Sequence, residues 1–100
     1  MDGDEALLGR MIALFHENTP RLLDDIRASV VRRDGGDLAR SAHALIGSLG
    51  AFGAKEAQSL ARQLEEQAHA ANYAQTDPTF AALARATAEI HQALMLTVAG

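Results

Sequence analysis

A chain of 100 residues, 48 % of them apolar, holds one domain with a single modest core and carries a net charge of −4. The absence of cysteine excludes disulfides and thiol chemistry and fits a reducing, cytoplasmic compartment. Scattered basic residues within an acidic total argue against nucleic acid as a partner, and no apolar run approaches the ~20 residues that membrane insertion needs.

The acidic opening, Met1 to Glu5, has neither the basic nor the apolar region of a secretory leader. Residues from about 4 to 16 read as a first helix, with Asp2 as N-cap, Glu5 three residues on, and Leu8, Met11, Ile12 and Phe15 as its apolar stripe. Asn18-Thr19-Pro20 should break or kink it, Thr19 capping a second helix that has Pro20 at its first position. That helix runs to about Arg33 and buries Leu22, Leu23, Ile26 and Val30. Asp34-Gly35-Gly36-Asp37 forms the next turn, where Asp34 can cap a third helix and Asp37 suits the positive end of its dipole.

The third helix places Leu38, Ala42, Leu45 and Leu49 on one core stripe and stops near Gly50 to Gly53. His43 points the opposite way. At about 100° per residue its same-face neighbours are Ala39, Arg40, Ile46, Gly47 and Gly50, a poor match to the charged surface that helices usually present. Gly47 inside a helix costs roughly 1 kcal/mol against alanine, which close approach of a large partner to the imidazole would explain. Close helix–helix contact at the glycines and an ordinary solvated histidine are the plainer readings of the same spacing.

The fourth helix, about Ala54 to Ala71, has the core stripe Ala57, Leu60, Ala61, Leu64 and Ala68, with Gln58, Arg62, Glu65 and His69 together on another face. Asn72 to Thr76 is a loop, and Asp77-Pro78 caps and opens a last helix with Phe80, Leu83, Thr87, Ile90 and Leu94 on its stripe. The expected fold is all-α: an antiparallel up-and-down four-helix bundle with a short additional N-terminal helix, residues 1–100 forming one domain. His16, His69 and His91 show no metal-ligand spacing, so no metal site is expected.

The run Ala42-His43-Ala44-Leu45-Ile46-Gly47, with a second glycine at Gly53, resembles the signature of histidine-containing phosphotransfer (HPt) domains. The family pattern is Ala-His-x-Leu-Lys-Gly, and Ile46 stands where it has lysine. Phe15, Asp34 and the pair Leu64-Glu65 extend the resemblance over essentially the whole chain. The opening Asp2-Gly3-Asp4-Glu5-Ala6-Leu7-Leu8 is similar to the start of HPt modules at the C-terminus of hybrid sensor histidine kinases, which would make this domain part of a longer chain.

The resemblance implies a phosphohistidine carrier without turnover chemistry of its own. His43 would take a phosphoryl group from a receiver-domain aspartate, or a kinase, and pass it to a response-regulator aspartate. Partners would be the receiver domains of a hybrid kinase and of a response regulator, meeting a monomer. The carrier needs no cofactor itself, because the receiver supplies Mg²⁺. By alignment Glu65 would orient the imidazole, Arg40 and Arg62 are candidate phosphoryl stabilisers in place of the missing lysine, and Ala39, Ile46, Gly47 and Gly50 would form the partner-binding face. The alternatives are a degenerate module that binds a receiver or kinase without efficient transfer, with Ile46 as the lesion, and a plain helical interaction domain with an accidental motif.

Overall fold

The computed structural model describes residues 2–99, and the side chains of residues 6–96. Its four helices are α1 (Asp2–Arg32), α2 (Gly35–Gly50), α3 (Lys55–His69) and α4 (Thr76–Ala99). Each helix packs on two others, α1 on α2 and α4, and α3 on α2 and α4. Phe15 meets Phe52 while Arg32 meets Asp37, His43 meets Glu65 while Ile46 meets Gln58, and His16 meets His91 while Arg27 meets Phe80. Low numbers thus face high ones at these seams, the up-and-down antiparallel arrangement.

The expected separate N-terminal helix does not exist. α1 runs straight through Pro20, 31 residues at about 1.5 Å each, and so spans the full 47 Å length of the molecule. Pro20 removes one intrahelical donor, which ordinarily costs about 3 kcal/mol in a helix interior. The apolar phase explains its tolerance. Ile12, Phe15, Thr19, Ile26 and Val30 are buried and Leu22 half-buried at three- and four-residue steps on both sides of the proline, so one face packs against the core throughout. Thr19, expected as a cap, is instead a fully buried member of that stripe. Leu8 falls off it and is exposed. The cap proposed for Asp2 and Glu5 lies outside the described side chains.

Three helices end on a residue in the left-handed region. Arg33 (φ 54°) follows α1, Gly53 (φ 65°) follows α2, and Ala71 (φ 54°) follows α3. At each, the next residue's N–H reaches back to a carbonyl five residues earlier: Asp34 to Ser29, Ala54 to Leu49, Asn72 to Gln67. These Schellman closures satisfy carbonyls that would otherwise be orphaned. Gly53 occupies the one of the three positions where the residue type matches the backbone's requirement.

Asp34 caps α2, its carboxylate accepting from the Asp37 N–H at 3.1 Å. That bond holds the Asp34 carboxyl below its ordinary range, against an opposing effect of burial. Gly35 is needed for close packing, since a Cβ there would lie 2.8 Å from the Tyr73 hydroxyl and 3.0 Å from the Ala68 carbonyl oxygen. The core is built from Phe15, Ile26, Leu38, Leu45, Leu49, Leu64 and Leu83 with small alanines between them. α4 begins at Thr76, so Asp77 lies inside its first turn rather than at the cap. No helix is long and apolar enough to cross a membrane, among the described residues.

Candidate functional site

His43 stands at the middle of α2, its side chain 75 % exposed. The core stripe Leu38, Ala42, Leu45 and Leu49 is fully buried on the other side of the helix and fixes this orientation. α3 runs beside it, and Glu65 Oε2 lies 3.1 Å from His43 Nδ1. The carboxylate is the more enclosed of the two, at 25 % exposure. An ionised carboxylate only accepts, so this contact favours the tautomer with hydrogen on Nδ1 and leaves the Nε2 lone pair free. Nε2 is then a nucleophile on the outside of the molecule.

The surround of the imidazole is small on one side and closed on the other. A Cβ added to Gly47 would meet nothing within 4 Å, so helix contact does not account for that glycine. Ala44 is also exposed, and with Gly47 it gives His43 an open flank. On the other flank α3 covers the helix. Ala39, expected on the partner face, is a core residue only 8 % exposed, because the arc of α2 that α3 buries is wider than the leucine stripe alone. Ile46 is half-buried and packs against the core, and Gln58 donates to its carbonyl at 3.1 Å. Gly50 is exposed yet sits under Gln58, whose Nε2 would lie 2.7 Å from an added Cβ. The open face is therefore His43, Ala44 and Gly47, rotated away from Ala39 and Ile46.

The two candidate arginines stand apart from each other. Arg40 turns toward the helix start and pairs with Asp37 at 2.8 Å, one turn further from His43, in keeping with the N-terminal tilt of helical side chains. Asp37 also takes Arg32 at 3.3 Å, so Arg40 is one of two cations on a single carboxylate. Arg62 is exposed on α3 and makes no ion pair among the described residues. The contacts 43–65 and 50–58 set the α2–α3 register, which puts Arg62 level with Ile46.

Two further histidine contacts are present. His69 Nε2 lies 3.9 Å from the same Glu65 oxygen that meets His43, the ion pair along α3 that the i, i+4 spacing of Glu65 and His69 allows. His16 and His91 meet through their Nδ1 atoms across α1 and α4, rings stacked 4.6 Å apart, and no sequence signal links residues 75 positions apart. Among the described residues no group of three or more His, Cys, Asp or Glu side chains is placed to hold a metal ion.

A helical bundle presenting one solvent-exposed histidine from mid-helix, backed by a carboxylate of the next helix and flanked by residues without bulk, is the architecture of a group-carrying module. A scan against protein families matches residues 10–94 to the Hpt domain. The chain belongs to that family, whose members carry phosphoryl groups on a histidine in two-component phosphorelays and interact with receiver domains and response regulators. Searches of curated proteins and of solved structures gave no match.

Proposed function

We propose that His43 is the phosphoryl-carrying residue and that the chain relays the group between two receiver aspartates, one in a hybrid histidine kinase and one in a response regulator. The observation that carries this reading is the pairing of an exposed His43 with the half-enclosed Glu65 at 3.1 Å, beside the open flank at Gly47. The Nε2 lone pair forms the N–P bond while the P–O bond of the donor's aspartyl phosphate breaks and its electrons leave with the carboxylate. The Nδ1 proton stays on the ring, which becomes cationic, and Glu65 answers that charge as the second member of a triad would. Return transfer reverses each step. Mg²⁺ brought by the receiver would neutralise phosphoryl oxygens, so the carrier need supply only position and a nucleophile. Ala44 and Gly47 are the residues over which a receiver would dock. Arg62, without an ion pair among the described residues and level with Ile46, supplies the cation that the family pattern places on α2, and Arg40 is secondary because Asp37 engages it.

The test is incubation with a phosphorylated receiver, looking for acid-labile, base-stable label. Label is expected on the wild type, absent from His43→Gln, and reduced about tenfold or more in Glu65→Gln, which loses a charge-assisted bond. A second reading rests on Ile46: its half-buried side chain belongs to the α2–α3 seam, where lysine would have kept a charge in water. On that reading the domain docks receivers without transfer, and a receiver that binds but leaves no label on any variant establishes it.

A further inference from the structure

The four helices differ in length, and the excess lies at one end. α2 covers about 24 Å of the 47 Å molecule. The turn that joins it to α3 is level with Phe15 of α1, which Phe52 meets, and with Ile90 of α4, which shares a groove with Ala54. Beyond that level about 20 Å of α1, from Leu14 back to Asp2, and about 9 Å of α4, from Leu94 on to Ala99, continue without α2 and α3. Met11 and Leu14 line a groove with Ser48, Ala51 and Phe52 at the end of α2, and Glu89 lines another with Ala57 at the start of α3. Leu7 stands two turns before Leu14, and Leu96 two turns after Glu89, so each extends a face whose neighbouring helix has ended. Leu7, Leu8, Leu14, Met95 and Leu96 are 46–75 % exposed, and among the described residues the other large apolar side chain so exposed is Val31, at the far end of α1.

We propose that this overhang is a self-association surface, on which a second copy of the chain, related by a two-fold axis across the long direction, lays its own α1 and α4 ends into the two helix positions left open above the α2–α3 turn. The gap is two helices wide and must be filled from the opposite direction, and the same overhang turned end for end supplies both helices. Charge favours the same occupant. In a two-fold interface each surface meets itself, so clustered charges would face their own kind. Across residues 6–14 and 92–96, Arg10 is the only charged side chain. The area is sufficient, since five side chains exposed to this degree leave roughly 500 Å² per copy, or about 1,000 Å² for the pair, the lower bound of a specific interface. His43 lies about 10 Å below the end of α2, so the pairing leaves the imidazole open.

The experiment is sedimentation equilibrium of the full chain over a concentration range on the order of 5 to 500 µM, the range for an interface at the low end of size. The mass should rise from one chain to two, and 0.5 M salt should not weaken the association, because apolar burial drives it. Leu7→Glu and Leu96→Glu, on different helices, should each raise the dimer Kd by at least tenfold, since each places two carboxylates in the interface. Val31→Glu should leave it unchanged. All three sites are exposed, so the monomers should fold, which circular dichroism checks, and either overhang variant decides the matter by itself. A wild type that stays monomeric throughout overturns the proposal, and so does a dimer that survives a folded overhang variant or that Val31→Glu weakens equally. Phosphorylation enters none of these measurements, so the proposal and the carrier reading fail separately.

Discussion

Gln58 fills the space beside Gly50 across the α2–α3 seam, whereas the space beside Gly47, three residues earlier on α2, is open. A Cβ on Gly50 would come 2.7 Å from Gln58 Nε2, the amide that donates to the Ile46 carbonyl at 3.1 Å. Gly47→Ala should therefore raise stability by roughly 0.5–1 kcal/mol, the full helix-propensity difference. Gly50→Ala should gain little, since Gln58 must move and its bond, about 1 kcal/mol, is put at risk. Urea midpoints distinguish them. A clear loss from Gly47→Ala would show that this face is packed rather than open.

Replacing Gly47 with glutamine extends the argument from stability to binding. The side chain enters open solvent beside His43, so folding should be unaffected or slightly improved while receiver docking and transfer fall by at least tenfold. Labelling by phosphoramidate should survive, because a small donor does not need the flat surround. Loss of both activities together would point to a damaged imidazole rather than a blocked face.

Pro20 offers a test of the continuous α1. Alanine there restores one N–H to the helix ladder, so Pro20→Ala should stabilise the protein by about 1–3 kcal/mol, less the entropy that proline removes from the unfolded chain. If the helix were broken at Thr19, with proline in a first turn, the same change would be neutral or unfavourable. Thermal or urea unfolding gives the sign directly.

The sequence carried the site better than it carried the chain's segmentation, for a physical reason in each case. Leu38, Ala42, Leu45 and Leu49 form so regular a stripe that the opposite face of α2, and His43 with it, could be placed from period alone. Asp34 was legible as a cap because its chemistry is local. Pro20 misled because a proline's cost is local while the packing that overrides it is spread over the α1 stripe, from Ile12 to Val30. Ala39 misled in a similar way: which flank of α2 is covered depends on where α3 lies, and no spacing within α2 contains that. The pairing of His16 with His91 needs the seam of the first and last helices, and local pattern is silent there.

That same pair gives the fold a pH dependence. His91 is held below the ordinary histidine value, chiefly by burial and secondarily by His16 beside it. The folded state then binds protons less readily than the unfolded chain, where histidine titrates near 6.5. Stability is complete above that value and falls as pH drops below it toward the folded-state value. Unfolding midpoints at pH 8 and pH 5.5 should show the drop in the wild type. His91→Gln should flatten it. An equal slope in both proteins would assign the acid sensitivity to other groups.

The last prediction concerns Ile46→Lys, which restores the family residue one turn from His43. Ile46 is half-buried and packs on the core, so the change costs burial that a lysine stem recovers only in part by running along the surface to water. A loss of about 1 kcal/mol is expected, more than an exposed site would show and less than a core truncation. Against that stands a new cation beside the phosphoryl oxygens. A charge-assisted contact is worth roughly 1.5–3 kcal/mol, or about ten- to a hundredfold in lifetime or rate. If the domain is a carrier handicapped by the missing charge, the variant should transfer faster or hold its label longer despite lower stability. If it is a docking module that uses the apolar edge of Ile46, receiver affinity should fall and no label should appear. Because the two readings move label and affinity in opposite directions, measuring both on this one folded variant separates them. A loss of 3 kcal/mol or more would instead place Ile46 fully within the core, where the family's lysine would have no counterpart on this helix face at all.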